Sequence, residues 1–140
     1  MRYPDQNQRK MVEKLNTILL EMKRIKGDVF MFALMKIDDV TDKWTLILSA
    51  PWATEGDREI FRYVLDLIKT GLGEDISDIA RIGIFTRGHH LIEELMKYRS
   101  GAEIHDKKVN GNLVHEGYVI ESNQTPSEPV RQEQLFDRGV

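Results

Sequence analysis

The sequence predicts a single α/β (α+β) domain, a five-stranded mixed sheet covered by three helices in the order α-β-β-α-β-α-β-β. Three observations carry this. Two strand-like segments, 44–50 and 79–86, are separated by an amphipathic helical stretch, the pattern of a βαβ crossover with parallel strands. A long apolar stripe with spacings of three and four opens the chain. Near the end, Asn110-Gly111 divides two strand-like runs, a strong signal for a two-residue hairpin turn.

The first helix is expected over residues 5–26. Met11, Val12, Leu15, Ile18, Leu19, Met22 and Ile25 form its stripe. Asp5 is placed to cap it. Lys23, Arg24 and Lys26 suit the negative end of its dipole, and Gly27 ends it. The stripe suits core packing, and as a short heptad-like repeat it also suits a two-chain seam in a homodimer. Strand one, 28–37, is nearly continuous in apolar residues, as in a strand buried on both faces. A polar loop with Asp38, Asp39 and Asp42 leads to strand two, 44–50, which returns antiparallel. Pro51 has no N–H to extend the ladder.

The second helix is expected to begin near Thr54, where Thr54-Glu-Gly-Asp57 resembles a capping box with aspartate in place of glutamate. Ile60, Phe61, Val64, Leu65, Ile68 and Leu72 form its buried stripe. Residues 74–78 read as a polar link of about one helical turn. Strand three spans 79–86 and helix three 89–99, with Leu91, Ile92, Leu95 and Met96 inward and Gly101 as the stop. The hairpin strands are 102–109 and 112–121. Residues 1–122 then form the globular domain. Residues 123–140 form a linker, with Pro126 and Pro129, and a C-terminal tail.

Bulk composition excludes several classes. A chain of 140 residues, 41% hydrophobic and 31% charged, buries enough surface to fold without metal or disulfide. It has no cysteine, which removes disulfides, thiolate zinc sites, iron–sulfur clusters and cysteine nucleophiles. A net charge of −3 argues against nucleic-acid binding by bulk charge. The start is polar, unlike a signal peptide, and the longest apolar run, 29–35, is too short for a bilayer. A cytoplasmic protein without membrane contact or cofactor is expected.

Parallel strands bring both helix-entry loops to one sheet edge, where α/β folds bind ligands. That edge gathers Ser49, Trp52, Thr54, Thr86, Arg87, His89 and His90. Backbone N–H groups at a strand-to-helix junction favour an anion, and Arg87 adds a fixed charge. Gly88 allows close approach of a ligand. Either histidine can donate a hydrogen bond or move a proton. Trp52 can stack on a ligand ring or cover the second helix. No glycine-rich phosphate loop or nucleophile elbow accompanies these residues, so no catalytic residue is assigned.

Other candidates have plain structural explanations. The turn at Asn110-Gly111 sets His105 opposite Glu116 and Asp106 opposite His115, on opposite ribbon faces. Such pairs can respond to pH, but opposite faces do not build one metal site. His89 and His90 point about 100° apart on a helix, which also disfavours a shared ion. The loop aspartates lack the glycine and terminal glutamate of a calcium loop.

In the tail, Gln132-Glu-Gln-Leu-Phe136 fits Gln-x-x-Leu-Phe. It resembles the short peptide by which many bacterial replication and repair proteins dock on the sliding clamp. The resemblance covers five residues and departs from the commoner form at Glu133, where an apolar residue is usual. It implies a protein partner that holds Leu135 and Phe136 in an apolar groove, with Gln132 fixing the register. Three functions follow. One is a binding or regulatory domain without catalysis, acting through a homodimer or another protein. The second is a receptor or enzyme for an anionic small molecule at loops 49–54 and 86–90. The third is an accessory factor of DNA metabolism that docks through its tail.

Overall fold

The computed structural model describes residues 6–37 and 43–123. The predicted loop aspartates, the capping Asp5 and the tail residues Gln132, Leu135 and Phe136 lie outside them. The fold class is the one the sequence predicts. The elements are α1 (Gln6–Ile25), β1 (Met31–Lys36), β2 (Trp44–Ser49), α2 (Arg58–Leu72), β3 (Ile79–Ile84), α3 (His90–Leu95), β4 (Glu103–Val109) and β5 (Asn112–Ser122). A 3-10 turn, Gly73–Asp78, links α2 to β3.

The sheet order is β3-β2-β1-β5-β4. β1 lies antiparallel to both β2 and β5, and β2 lies parallel to β3. The crossover through α2 is therefore present. The hairpin β4–β5 does not extend the β3 edge. It returns to pair with β1, which places β1 at the centre.

That position explains the unbroken apolar run in β1, because each face of the strand meets a different core. Phe32 and Leu34 join α1 and α2 in one cluster with Leu15, Met22, Leu46, Leu48, Val64 and Ile68. Met31, Ala33 and Met35 join the other, beneath α3, with Ile47, Ile92, Leu95, Ile104 and Val119. Each large side chain so buried contributes roughly 1.5–3 kcal/mol. The α1 stripe is used within the chain, since Met11, Leu15, Ile18, Leu19 and Met22 are all buried. Ile25 departs from the expectation and is 49% exposed in the last turn. α1 and α2 approach closely at Gly71, where a Cβ would stand 2.4 Å from the Ile18 side chain.

β1 begins at Met31, three residues later than expected, and three further boundaries that bear on the site differ from the sequence reading. α2 begins at Arg58, with Asp57 as its cap, not near Thr54. Residues 50–57 are spent in two turns closed by Ala53 N–H to Ala50 O at 3.1 Å and Asp57 N–H to Thr54 O at 3.2 Å. The Asp57 carboxylate then accepts from the N–H groups of Glu59 and Ile60 at 3.0 and 3.2 Å. β3 stops at Ile84, short of Thr86. α3 is also short, because Lys97 and Tyr98 donate three residues back, to Glu94 and Leu95, and tighten its end. Gly101 N–H then reaches Val119 O at 2.7 Å and starts the hairpin.

The hairpin turn is as predicted. Asn110 and Gly111 have φ of 53° and 80°, and Val109 pairs with Asn112. Both central residues are left-handed, the conformation a tight hairpin requires. His105 stands opposite Glu116 in register. Their side chains separate, however. His105 Nε2 meets Glu103 Oε1 on its own strand at 3.0 Å, and Glu116 approaches Lys36 Nζ on β1 at 3.9 Å. Asp106 and His115 do meet, at 3.6 Å.

Candidate functional site

The C-terminal ends of β2 and β3, the start of β1 and the end of β5 share one sheet edge. Phe30 ties them together. Its N–H donates to Ser49 O at 2.8 Å, and its carbonyl accepts from Asn123 N–H at 2.9 Å. Phe85 N–H donates to Leu48 O at 2.9 Å. The loops after β2 and β3 meet where Thr86 N–H donates to Glu55 Oε1 at 3.3 Å. The two loops therefore meet as expected, and the residues named there divide into three groups.

Thr54, Thr86, Arg87 and His90 are exposed. The Arg87 guanidinium lies over the Phe30 ring, 5.3 Å from its centroid. Trp52 and His89 are half-buried and already engaged. The indole N–H of Trp52 donates to Asp28 O at 2.9 Å, and its ring stands edge-on to Tyr63 at 6.3 Å. His89 caps α3, its Nδ1 accepting from Leu91 N–H at 3.1 Å while its ring packs on Phe85 at 4.8 Å. That acceptor role requires an unprotonated Nδ1. Ser49 is fully buried, and its hydroxyl has no partner among the described residues. Strand alternation turns it away from Leu48 and into the α3 side of the sheet.

The N–H groups expected to receive an anion are largely used. Thr86 N–H goes to Glu55, His89 N–H to Thr86 O at 3.1 Å and Leu91 N–H to His89. The N-terminus of α2 is likewise filled by the Asp57 carboxylate.

Beside this edge a groove opens that the sequence did not indicate. It has a volume of about 500 Å³ and runs between α2 and β3. Phe61, Leu65 and Ile84 supply its apolar surface, with Thr54, Arg58 and Arg62 around it. Phe61 and Leu65 were expected in the buried stripe. Phe61 is instead 40% exposed and Leu65 half-buried. Their helical positions face the margin of α2 where the sheet ends at β3. The signal was present as a repeat, since Arg58 and Arg62 stand four residues apart and so do Phe61 and Leu65. It interleaves cations with apolar residues on one stripe.

Two arginines and one carboxylate, that of Asp57, line the groove. Asp57 and the neighbouring Glu55 accept from backbone N–H groups. Arg58 and Arg62 have no ion-pair partner among the described residues. Behind the loop, burial and then the Glu21 carboxylate raise the Tyr63 phenol above its ordinary range. Among the described residues, no three histidine or carboxylate side chains converge as a metal site, and no helix is long and apolar enough to cross a membrane. No family model, curated protein or solved structure matches this chain.

Proposed function

We propose that this chain is a small binding domain that recognises a partner through the α2–β3 groove and performs no chemistry there. One observation carries the reading: exposed Phe61 and half-buried Leu65 and Ile84 lie beside two arginines that have no ion-pair partner among the described residues. A surface that joins apolar area to unpaired charge suits recognition. Three of the candidate reactive groups at the sheet edge are engaged or sealed. His89 is a helix cap, Ser49 is sealed and Trp52 is pinned to the backbone.

A photo-crosslinking residue placed at Phe61 tests the proposal in cells. Leu113, 43% exposed on the hairpin, serves as the control position. A discrete adduct from position 61 and none from 113 is the expected result. Equal labelling at both positions, or none at 61, refutes it.

A second reading keeps the groove and changes the ligand. Thr54, Arg58 and Arg62 lie together at the groove and suit an anionic small molecule. Titration with inorganic phosphate and with succinate, followed by amide NMR shifts, tests this. Saturable shifts at these residues support it, and shifts that grow linearly and spread over the surface count against it.

A further inference from the structure

We infer that the groove's occupant is an extended, acidic segment of another protein, which adds to the sheet as a strand alongside β3. This rests on the groove being the binding surface and names what binds there.

The two sheet edges are built differently. β4 carries Glu103, His105, Asp106, Lys107 and Lys108, and Asp106 takes a left-handed φ of 52°. Charge and an irregular backbone are the usual protections against strand addition. β3 reads Ile-Ala-Arg-Ile-Gly-Ile, with Arg81 as its sole charge. It ends the sheet, and among the described residues no strand pairs with its outer side. Gly83 is registered with Ile47, and Phe85 N–H reaches Leu48 O. Gly83 and Phe85 therefore turn their N–H and C=O groups toward β2. Alternation then turns those of Ile82 and Ile84 outward, as the template for an added strand.

Side chains of such a strand would meet both faces of β3. On one face lie Phe61, Leu65 and Ile84 with Arg58 and Arg62. On the other lies Arg81, whose Nε donates to Thr45 Oγ1 at 3.2 Å and which has no carboxylate partner among the described residues. Asp57 also lines the groove, where its carboxylate caps α2 and leaves the two arginines in excess, and Asp78 stands at the start of β3, away from the groove residues. Charge complementarity thus calls for carboxylates on both faces of the incoming strand, set among apolar residues. A second copy is the competing occupant, since a two-fold antiparallel pairing sets only the residues near the dyad against their own copies, and the light-scattering arm of the test separates it from an acidic segment.

The test is selection of a random dodecapeptide phage library on the immobilised full chain. The expected winners alternate valine, isoleucine or phenylalanine with aspartate or glutamate. A synthetic consensus peptide should shift the amide signals of Ile82 and Ile84. It should bind about tenfold or more weakly to the exposed double variant R58E/R62E. Methylating the backbone nitrogens of alternate peptide residues should abolish binding in one of the two alternation sets and spare the other. Neutral or basic winners overturn the inference while leaving the groove reading intact. So does an acidic peptide indifferent to methylation of either set, which would bind by side chains alone. A concentration-dependent dimer in light scattering that protects the Ile82 and Ile84 amides from exchange assigns the edge to a second copy and also overturns it. If nothing is enriched and no adduct forms at position 61, both the inference and the groove reading fall.

Discussion

Replacing Gly71 with alanine should destabilise this protein, although the same change in an open helix would stabilise it. Gly71 lies within α2, where alanine is favoured by about 1 kcal/mol over glycine. Against this, the new Cβ would stand 2.4 Å from both Cγ1 and Cδ1 of Ile18, inside any permitted contact. Ile18 is 3% exposed and packed in the core, so it cannot swing aside freely. Overpacking of this kind costs about 1–3 kcal/mol. The net expectation is a loss of about 1 kcal/mol for G71A. Ile18→Ala removes the obstructing atoms and alone costs about 2–5 kcal/mol. In that background G71A should change sign and stabilise by about 1 kcal/mol. The coupling is therefore about 2 kcal/mol, well above the scatter of additive sites. Urea denaturation of the four proteins measures it. If G71A alone raises the midpoint, or the two changes add, then α1 and α2 do not meet through this glycine.

Three further outcomes follow from single residues. Asp57→Ala should cost about 1 kcal/mol in thermal unfolding and Thr54→Ala close to nothing; the reverse order would return the cap of α2 to Thr54. Ser49→Ala should be neutral or stabilise by up to about 1 kcal/mol, because the buried hydroxyl gains no hydrogen bond in the described structure; a clear loss would show that it has a partner. Tyr63 should ionise above the ordinary value of about 10, followed by phenolate absorbance against Tyr63→Phe. Above pH 10 or so the unfolded chain loses the proton that the folded chain keeps, so this residue's contribution to stability falls as pH rises into that range and is level below it. A Tyr63→Phe variant with the same alkaline slope would refute the assignment.

The candidate edge was legible because a βαβ unit has few solutions. Strand, amphipathic helix and strand in succession imply parallel strands, and parallel strands bring their exit loops together. Which side chains remain available there was not legible. His89 became a helix cap because α3 begins one residue later, and Trp52 found the Asp28 carbonyl across 24 positions of sequence. The groove was missed for a related reason. Helical periodicity reports which side of α2 is apolar, but not where the sheet beneath it stops. Phe61 and Leu65 read as core residues, yet β3 is the last strand under that margin.

By itself the sequence determined the local elements and their class. Spacings of two and of three to four, turn residues such as Asn110-Gly111, and the unbroken run of β1 are properties of short segments, and backbone geometry alone converts them into strands, helices and a hairpin. Only the tertiary structure decided that the hairpin pairs with β1, and that among the described residues no strand covers the outer side of β3 and no carboxylate pairs with Arg58 and Arg62 beside an apolar surface. Those outcomes depend on which segments compete successfully for the same edge and the same cover. That competition is settled between residues far apart in the chain, where no local pattern records the result.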